Sequence, residues 1–383
     1  MEKKILTMGV VGTALKKNER RAPLDPEHLP LIDEKLREYI YLETGYGERF
    51  GVDDATLADQ VAGLMSREEL FAHCDIMLLP KPVDADFSYF REGQILWGWP
   101  HCVQGSAITQ MGIDKKMTLI AWEAMNIWEG EKWQRHIFQK NNELAGYSSV
   151  LHALQLKGIT GAYGADKRIA VISFGATARG AVLSLLGQGY KDIVVFTRRS
   201  SSTVINKIPG VEYQSFGCLD DTSSNTVAET PDGHIAMAEA LAAFDIIVNC
   251  IFQDTERPLT YIKGSEIDLL KPDTLIIDVS CDTGMGFDFA RPTSFTDPTF
   301  MVGKGITYYA VDHSPSYLWR AATHEISKAL LPFIEPVMRG EANREENEVL
   351  RRAIEIEDGV IKNPAILSFQ NRAEAYPHPI LES

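Results

Sequence analysis

An apolar run, RIAVISF (168–174), leads straight into GATARGA (175–181). A second run, IVVFT (193–197), then ends in Thr197, Arg198, Arg199, Ser200 and Ser201. A dinucleotide is held by backbone amides at a helix N-terminus, and glycine is needed there so that the chain can approach the pyrophosphate. The three glycine places of a GxGxxG turn are filled here by Ser173, Gly175 and Ala178, with Ala176, Thr177 and Arg179 between and after them and Gly180 two residues further on. With serine in the first place, the motif alone fits an ordinary strand-to-helix turn about as well. The end of the second run shifts the balance. Where an aspartate or glutamate would take the ribose 2′-hydroxyl, arginines and hydroxyls suit a 2′-phosphate. The expected cofactor is therefore NADP(H), ahead of NAD(H). The plainer alternative is a solvated basic turn.

That alternative is weakened by the rest of the chain. Across 383 residues the net charge is −15, and 45% of residues are hydrophobic. So acidic a protein is a poor match for nucleic acid or an anionic membrane surface, both of which need clustered cations. Its length suggests two domains of ordinary size. The five cysteines are scattered, odd in number and without a CxxC pair. This points to reduced thiols and a cytoplasmic setting. MEKKILTMGVVG reads as a first buried strand rather than a signal peptide, and no stretch approaches the length of a membrane span. No zinc spacing occurs among the cysteines and nine histidines, so no metal is expected. There is no GxSxG or Walker loop.

The elements that would position a site alternate. ILTMGVVG, YIYLET, DIMLLP, GQILWGW and MTLIAWE read as buried strands in the first 140 residues. Asp25 and Pro26 open a helix over 26–35, and Ser66 with Glu69 forms a capping box for another. Residues 131–157 show no strand features and read as a long helix. RIAVISF then begins a second strand–helix series, continued by IVVFT, FDIIVNCIF, TLIIDVS and ITYYAVD. Alternation of this kind predicts an α/β fold with two Rossmann-like, doubly wound domains. Residues 200–240 are rich in Ser, Thr, Asp and Gly and read as a surface excursion. From Pro315 the pattern is helical, including EENEVLRRAIEIEDGVI (345–361), which could pack on its own domain or on a neighbouring copy. A homo-oligomer thus stays open.

Several stretches together resemble the alanine dehydrogenase and transhydrogenase superfamily: KKNERRAPLDP (16–26), REGQILWGWPHC (91–102), Asn249-Cys250-Ile251, LIIDVSCDTG (275–284) and VDHSPSYLWRAATHEIS (311–327). Within it the carboxyethylornithine synthases are most similar, in the ERRxPL opening, the AGY…VL.AL helix (145–154) and the double arginine. The lysine-forming saccharopine dehydrogenases are similar around DH.PS and NCI. The resemblance implies a discontinuous substrate domain (1–140 with 315–383), an NADP(H)-binding domain (141–314) and a cleft between them. It also implies reductive condensation of a basic amino acid such as ornithine or lysine with a 2-oxo acid such as pyruvate, through an imine reduced by hydride. Saccharopine or alanine dehydrogenation is the alternative. A non-catalytic NADP(H) sensor is a third reading, allowed by Ser173 and the long 200–240 region. The partners are small molecules only.

Residue by residue, Arg21 matches the family's carboxylate-binding arginine, with its neighbour Arg20 as the fallback and a surface charge pair with Glu19 as the alternative. A planar guanidinium suits a bidentate carboxylate contact. Lys81 (in LLPKP) and His101 (in GWPHC) match a lysine and a histidine that would share acid–base work. Glu123 matches an acid beside them that sets their charge state; a capping or surface carboxylate is the equal alternative. Asp282 matches an aspartate near the nicotinamide ribose, with Cys250 in the neighbouring block, while Asp278 reads as structural. Arg320 is a candidate for the amino-acid carboxylate or, equally, one half of a helix-surface ion pair.

Overall fold

The structure, a computed structural model, describes residues 5–218, 224–230, 232–251, 253 and 257–381. The chain forms two compact units, Met1–Gln139 with Trp319–Ser383 and Lys140–Leu318.

Each unit is built on six parallel strands in one spatial order. In the first unit the order is Gly63–Met65, Ile40–Glu43, Met8–Val10, Ile76–Leu78, Ile95–Gly98 and Thr118–Ala121. In the second it is Glu212–Cys218, Asp192–Thr197, Arg168–Ile172, Ile246–Asn249, Leu275–Asp278 and Ile306–Tyr309. Both read third, second, first, fourth, fifth, sixth, the Rossmann order, in which ligands bind outside the carboxyl ends where the order reverses.

The central strands are apolar because both their faces are covered. On the first sheet, Met8, Val10, Ile76, Leu78, Trp97 and Ile120 face one core, which is completed by Ile326, Leu330 and Ile334 of the helix Trp319–Met338. Met77, Leu79, Leu96 and Leu119 face the other. The second sheet divides in the same way.

Four sequence expectations change. The helix expected over 26–35 is broken: a 3-10 turn, Pro26–Leu31, is capped by Asp25, and Asp33 caps a fresh turn, Glu34–Arg37. Pro30 lacks the amide a longer helix would need. Residues 131–157 are not all helix. Lys132–His136 pairs with Asn126–Glu129 as a largely exposed hairpin, and the helix begins at Gln139. Alternation gives no signal in a strand with neither face buried. The 200–240 region is more than a loop: Glu212–Cys218 is the third parallel strand, and Thr226–Thr230 and Gly233–Ala236 extend that edge antiparallel. Residues 219–223 and 231 within it lie outside the described set. Finally, IEIEDGVI is a hairpin rather than a helix. Ile354–Glu357 joins the edge of the first sheet beside Thr118–Ala121, and Val360–Ile361 pairs back on it through Asp358 and Gly359, both at positive φ. Asp-Gly is a strong hairpin signal, so the correct reading was available. This segment packs within its own unit. The capping box of Ser66 and Glu69 is present.

Candidate functional site

In the first unit, Lys81, His101 and Glu123 follow three neighbouring parallel strands at their carboxyl ends. The ladder runs past the strands: Leu79 N donates to Trp97 O and Trp99 N to Pro80 O. Two loops distant in sequence are thereby held side by side. Lys81 Nζ lies 2.8 Å from His101 Nε2. An ammonium only donates, so this contact makes Nε2 the acceptor and puts the ring proton on Nδ1. Nδ1 faces Glu123 Oε1 at 3.6 Å. The same oxygen accepts from the His101 backbone N–H at 2.6 Å. That amide is aimed by an unusual backbone, since His101 has φ +50°, and departures of this kind gather at functional sites. Burial raises the Glu123 carboxyl to about 8, with Glu355 pushing the same way; Lys81 and the His101 amide pull against them.

Arg21 is buried, 4% exposed. Glu19 accepts from its Nε at 2.8 Å and from its Nη2 at 2.5 Å, fixing the plane of the guanidinium. The indole of Trp99 carries two cations, with Arg21 Cζ 4.7 Å and Lys81 Nζ 5.5 Å from its centroid. An aromatic face attracts both, and Trp99 is itself packed edge-on against Trp122. The Glu19 charge pair expected as the alternative for Arg21 is present, but buried rather than at the surface, and sequence reading passed over Trp99, whose value lies in what it touches. Arg320 is exposed on the first turn of the helix Trp319–Met338.

In the second unit, Ser173, Phe174, Gly175, Thr197, Arg198, Arg199 and Ile251 line one pocket of about 280 Å³. Phe174 and Ile251 are its apolar walls and were not singled out from sequence. Gly175 is the N-cap of the helix Ala176–Gly187 and gives it no side-chain cap. A Cβ added at Gly175 would meet only Ser173 Oγ, at 4.0 Å. The first-turn amides of Ala176, Thr177 and Ala178 therefore have an open approach, as an anion-binding helix start requires. Ser173 holds φ +89°, the left-handed conformation that glycine usually supplies. Gly180 does a different job: an added Cβ would lie 1.7 Å from Glu143 O, so it lets the helix Gln139–Lys157 pass close by. Arg179 donates twice to Asn206 O. Thr197 is buried and its hydroxyl accepts from Arg199 N at 3.3 Å, while Arg198, Arg199 and Ser200 are exposed. These features fit a phosphorylated dinucleotide.

Behind the pocket, Asp278 accepts from Asn249 Nδ2 at 2.8 Å and from the Tyr308 hydroxyl, and burial raises its carboxyl to about 6. Its part is structural. Cys250 is buried with its thiol pushed up by desolvation, and Asp282 is exposed beyond the end of the Leu275–Asp278 strand. Among the described residues there is no group of His, Cys, Asp or Glu able to hold a metal ion, and no helix long and apolar enough to cross a membrane.

Comparison with known proteins agrees with this layout. Residues 10–138 match the family model "Alanine dehydrogenase/PNT, N-terminal domain", and residues 207–364 match its C-terminal counterpart. N(5)-(carboxyethyl)ornithine synthase of Clostridium botulinum is 28% identical over 82% of this chain and 89% of its own length. Alanine dehydrogenase of Methanococcus maripaludis is 24% identical over 94% of this chain and 91% of its own. A solved L-alanine dehydrogenase superposes with a TM-score of 0.78 at 19% identity, covering 95% of this chain and 99% of that one, which establishes the shared fold.

Proposed function

Because the chain belongs to the alanine dehydrogenase/PNT family, we propose that this oxidoreductase is an NADPH-dependent imine reductase of the opine type, joining ornithine or lysine to pyruvate or a similar 2-oxo acid. The observation that carries this reading is the linked set Lys81–His101–Glu123 beside Arg21, all in one unit and all on groups suited to an oxo acid and an amine. The 28% identity to a carboxyethylornithine synthase supports the choice of substrates.

Each residue has a task. Arg21, its plane set by Glu19 and Trp99, binds the oxo-acid carboxylate, and Arg320 binds the amino-acid carboxylate. Adding the amine to the ketone gives a carbinolamine whose hydroxyl must leave as water. Lys81 donates a proton to that oxygen, and His101, whose Nε2 is the acceptor, takes up the proton that the attacking amine loses and returns it to Lys81 through their contact. Glu123 takes up the charge change on the imidazole. In the second unit the amides of residues 176–178 hold the pyrophosphate, Thr197, Arg198, Arg199 and Ser200 hold the 2′-phosphate, and Cys250 and Asp282 lie toward the nicotinamide end. When bound, NADPH supplies the hydride that reduces the imine.

The test is a matrix of amines (ornithine, lysine, ammonia) against oxo acids (pyruvate, 2-oxoglutarate), followed by NADPH absorbance with NADH in parallel. Ornithine or lysine with pyruvate is expected to give the fastest oxidation. Faster turnover with ammonia and pyruvate would make the protein an alanine dehydrogenase. Lysine with 2-oxoglutarate would make it a saccharopine-forming enzyme. NADPH binding without any turnover would make it a sensor.

A further inference from the structure

Two arginines at a pocket rim can read a 2′-phosphate only if the segment that carries them keeps its shape. Residues 198–208 leave the strand Asp192–Thr197 and run toward the strand Glu212–Cys218, with one short turn, Ser201–Thr203, on the way. Outside that turn no helix or sheet ladder holds the segment, so side chains must anchor it. Ser215 Oγ accepts from Ser201 N at 3.1 Å, Val204 is buried in the core, and the Tyr213 hydroxyl accepts from Ile208 N at 2.8 Å. Between Val204 and Ile208 the chain is exposed. There Arg179, from the helix Ala176–Gly187, donates to Asn206 O from Nη1 at 3.0 Å and from Nη2 at 2.6 Å. Asn206 holds φ +56°, a left-handed backbone that asparagine tolerates better than most residues. The group gripped is its carbonyl, so the contact depends on the backbone conformation of the segment. The same guanidinium lies over the Phe174 ring, 4.9 Å from its centroid. Phe174 meets Tyr213 edge-on at 5.0 Å, and its carbonyl accepts from Arg199 Nη2 at 3.3 Å. Phe174 is a wall of the cofactor pocket, whereas Arg179 is not among the residues lining it. Arg179 therefore joins a pocket wall to the far end of the segment whose near end is Arg198 and Arg199.

We propose that Arg179 is a positioning residue for cofactor choice: by gripping Asn206 it holds residues 198–208 in the shape that presents Arg198 and Arg199 to a 2′-phosphate. The inference rests on the NADPH reading given above. Arginine suits the task because its rigid fork puts two N–H groups on one carbonyl while its flat face packs on an aromatic ring. Bonds from an ionised donor are also stronger than neutral ones. The benefit is one of preorganisation. A segment that is ordered before the phosphate arrives does not pay for ordering when it binds. A cofactor without a 2′-phosphate makes no use of the two arginines, so the benefit falls on NADPH and not on NADH.

The experiment compares wild type, Arg179→Gln, Asn206→Val and the double variant in the full-length protein. Hydrogen exchange across 198–208 is read by mass spectrometry without cofactor, and fluorescence titration gives the Kd of NADPH and of NADH. Arg179→Gln is expected to speed exchange across 198–208, to raise the NADPH Kd about 10-fold and to leave the NADH Kd within about twofold. Asn206→Val, whose β-branched side chain resists a positive φ, should produce the same selective loss with Arg179 intact. In the double variant the two losses should not add, since both break one contact. Unchanged exchange across 198–208 in Arg179→Gln would overturn the proposal. Equal weakening of NADPH and NADH would overturn it too, by making Arg179 a pyrophosphate contact. An NADPH Kd unmoved in Asn206→Val would do the same, by making Arg179 a direct contact of the 2′-phosphate. If Arg179→Gln does not fold, Asn206→Val decides alone by the same two readings. A wild type that binds both cofactors equally would sink the NADPH reading, and the exchange across 198–208 would still decide whether Arg179 holds the segment.

Discussion

At the end of its second parallel strand the first unit carries Glu43, and the second unit carries Thr197 followed by Arg198 and Arg199. The sheets share one strand order, yet the outcome is opposite. Glu43 turns back on its own backbone, accepting from Gly12 N at 2.8 Å and from Thr13 N and Oγ1 at 2.7 Å each. The amides that could cradle a phosphate after the first strand are thus taken by an internal carboxylate, and the Tyr46 ring fills the space beside Gly12. In the second unit the matching turn stays open, and the matching strand end is basic. A Rossmann order therefore does not by itself make a nucleotide site. What decides is which group reaches the first-strand amides. In the unit whose cradle is closed, Lys81, His101 and Glu123 follow the carboxyl ends of successive strands.

Substitutions can break this division of labour. The largest effect is expected from His101→Ala, which should lower kcat by about 100- to 10,000-fold, the usual worth of a general acid–base group. NADPH affinity, measured by fluorescence titration, should stay unchanged; a large loss of affinity would mean that the first unit also holds cofactor. Next is the pair Arg198→Asp with Arg199→Ser. Loss of charge-assisted bonds should cut the preference for NADPH over NADH by roughly 10- to 100-fold, and a ratio of kcat/KM values that does not move would remove the 2′-phosphate role. The smallest effect is expected from Ser173→Gly. Relief of a left-handed serine should raise stability by about 1 kcal/mol in denaturant unfolding, with NADPH binding kept. A destabilised variant would show that the serine side chain matters more than the backbone it strains.

The legibility of the molecule followed the same physics. Strands buried on both faces announce themselves as apolar runs, so all five strands named in the first half and all five named in the second were found where expected. Elements with one buried face or none were missed, namely the Lys132–His136 hairpin strand and the strands within 212–236; the closing hairpin at 354–361 was missed although Ile354–Glu357 is buried, because its glutamates mask the apolar run. The pocket residues Ser173, Gly175 and Arg198–Arg199 were readable because they lie close together in the chain. Lys81, His101 and Glu123 were reached through resemblance, since nothing local links positions about twenty residues apart.

The amino-acid sequence by itself determined the two α/β halves, the dinucleotide turn and its basic neighbour, because each depends on residues adjacent along the chain. Only the tertiary structure decided that Glu43 closes one cradle, that Trp99 gathers Arg21 and Lys81, and that a bulge buries Glu355 beside the strand Thr118–Ala121. Those contacts join side chains from separate strands, and strand order and register, not spacing in sequence, determine which of them meet.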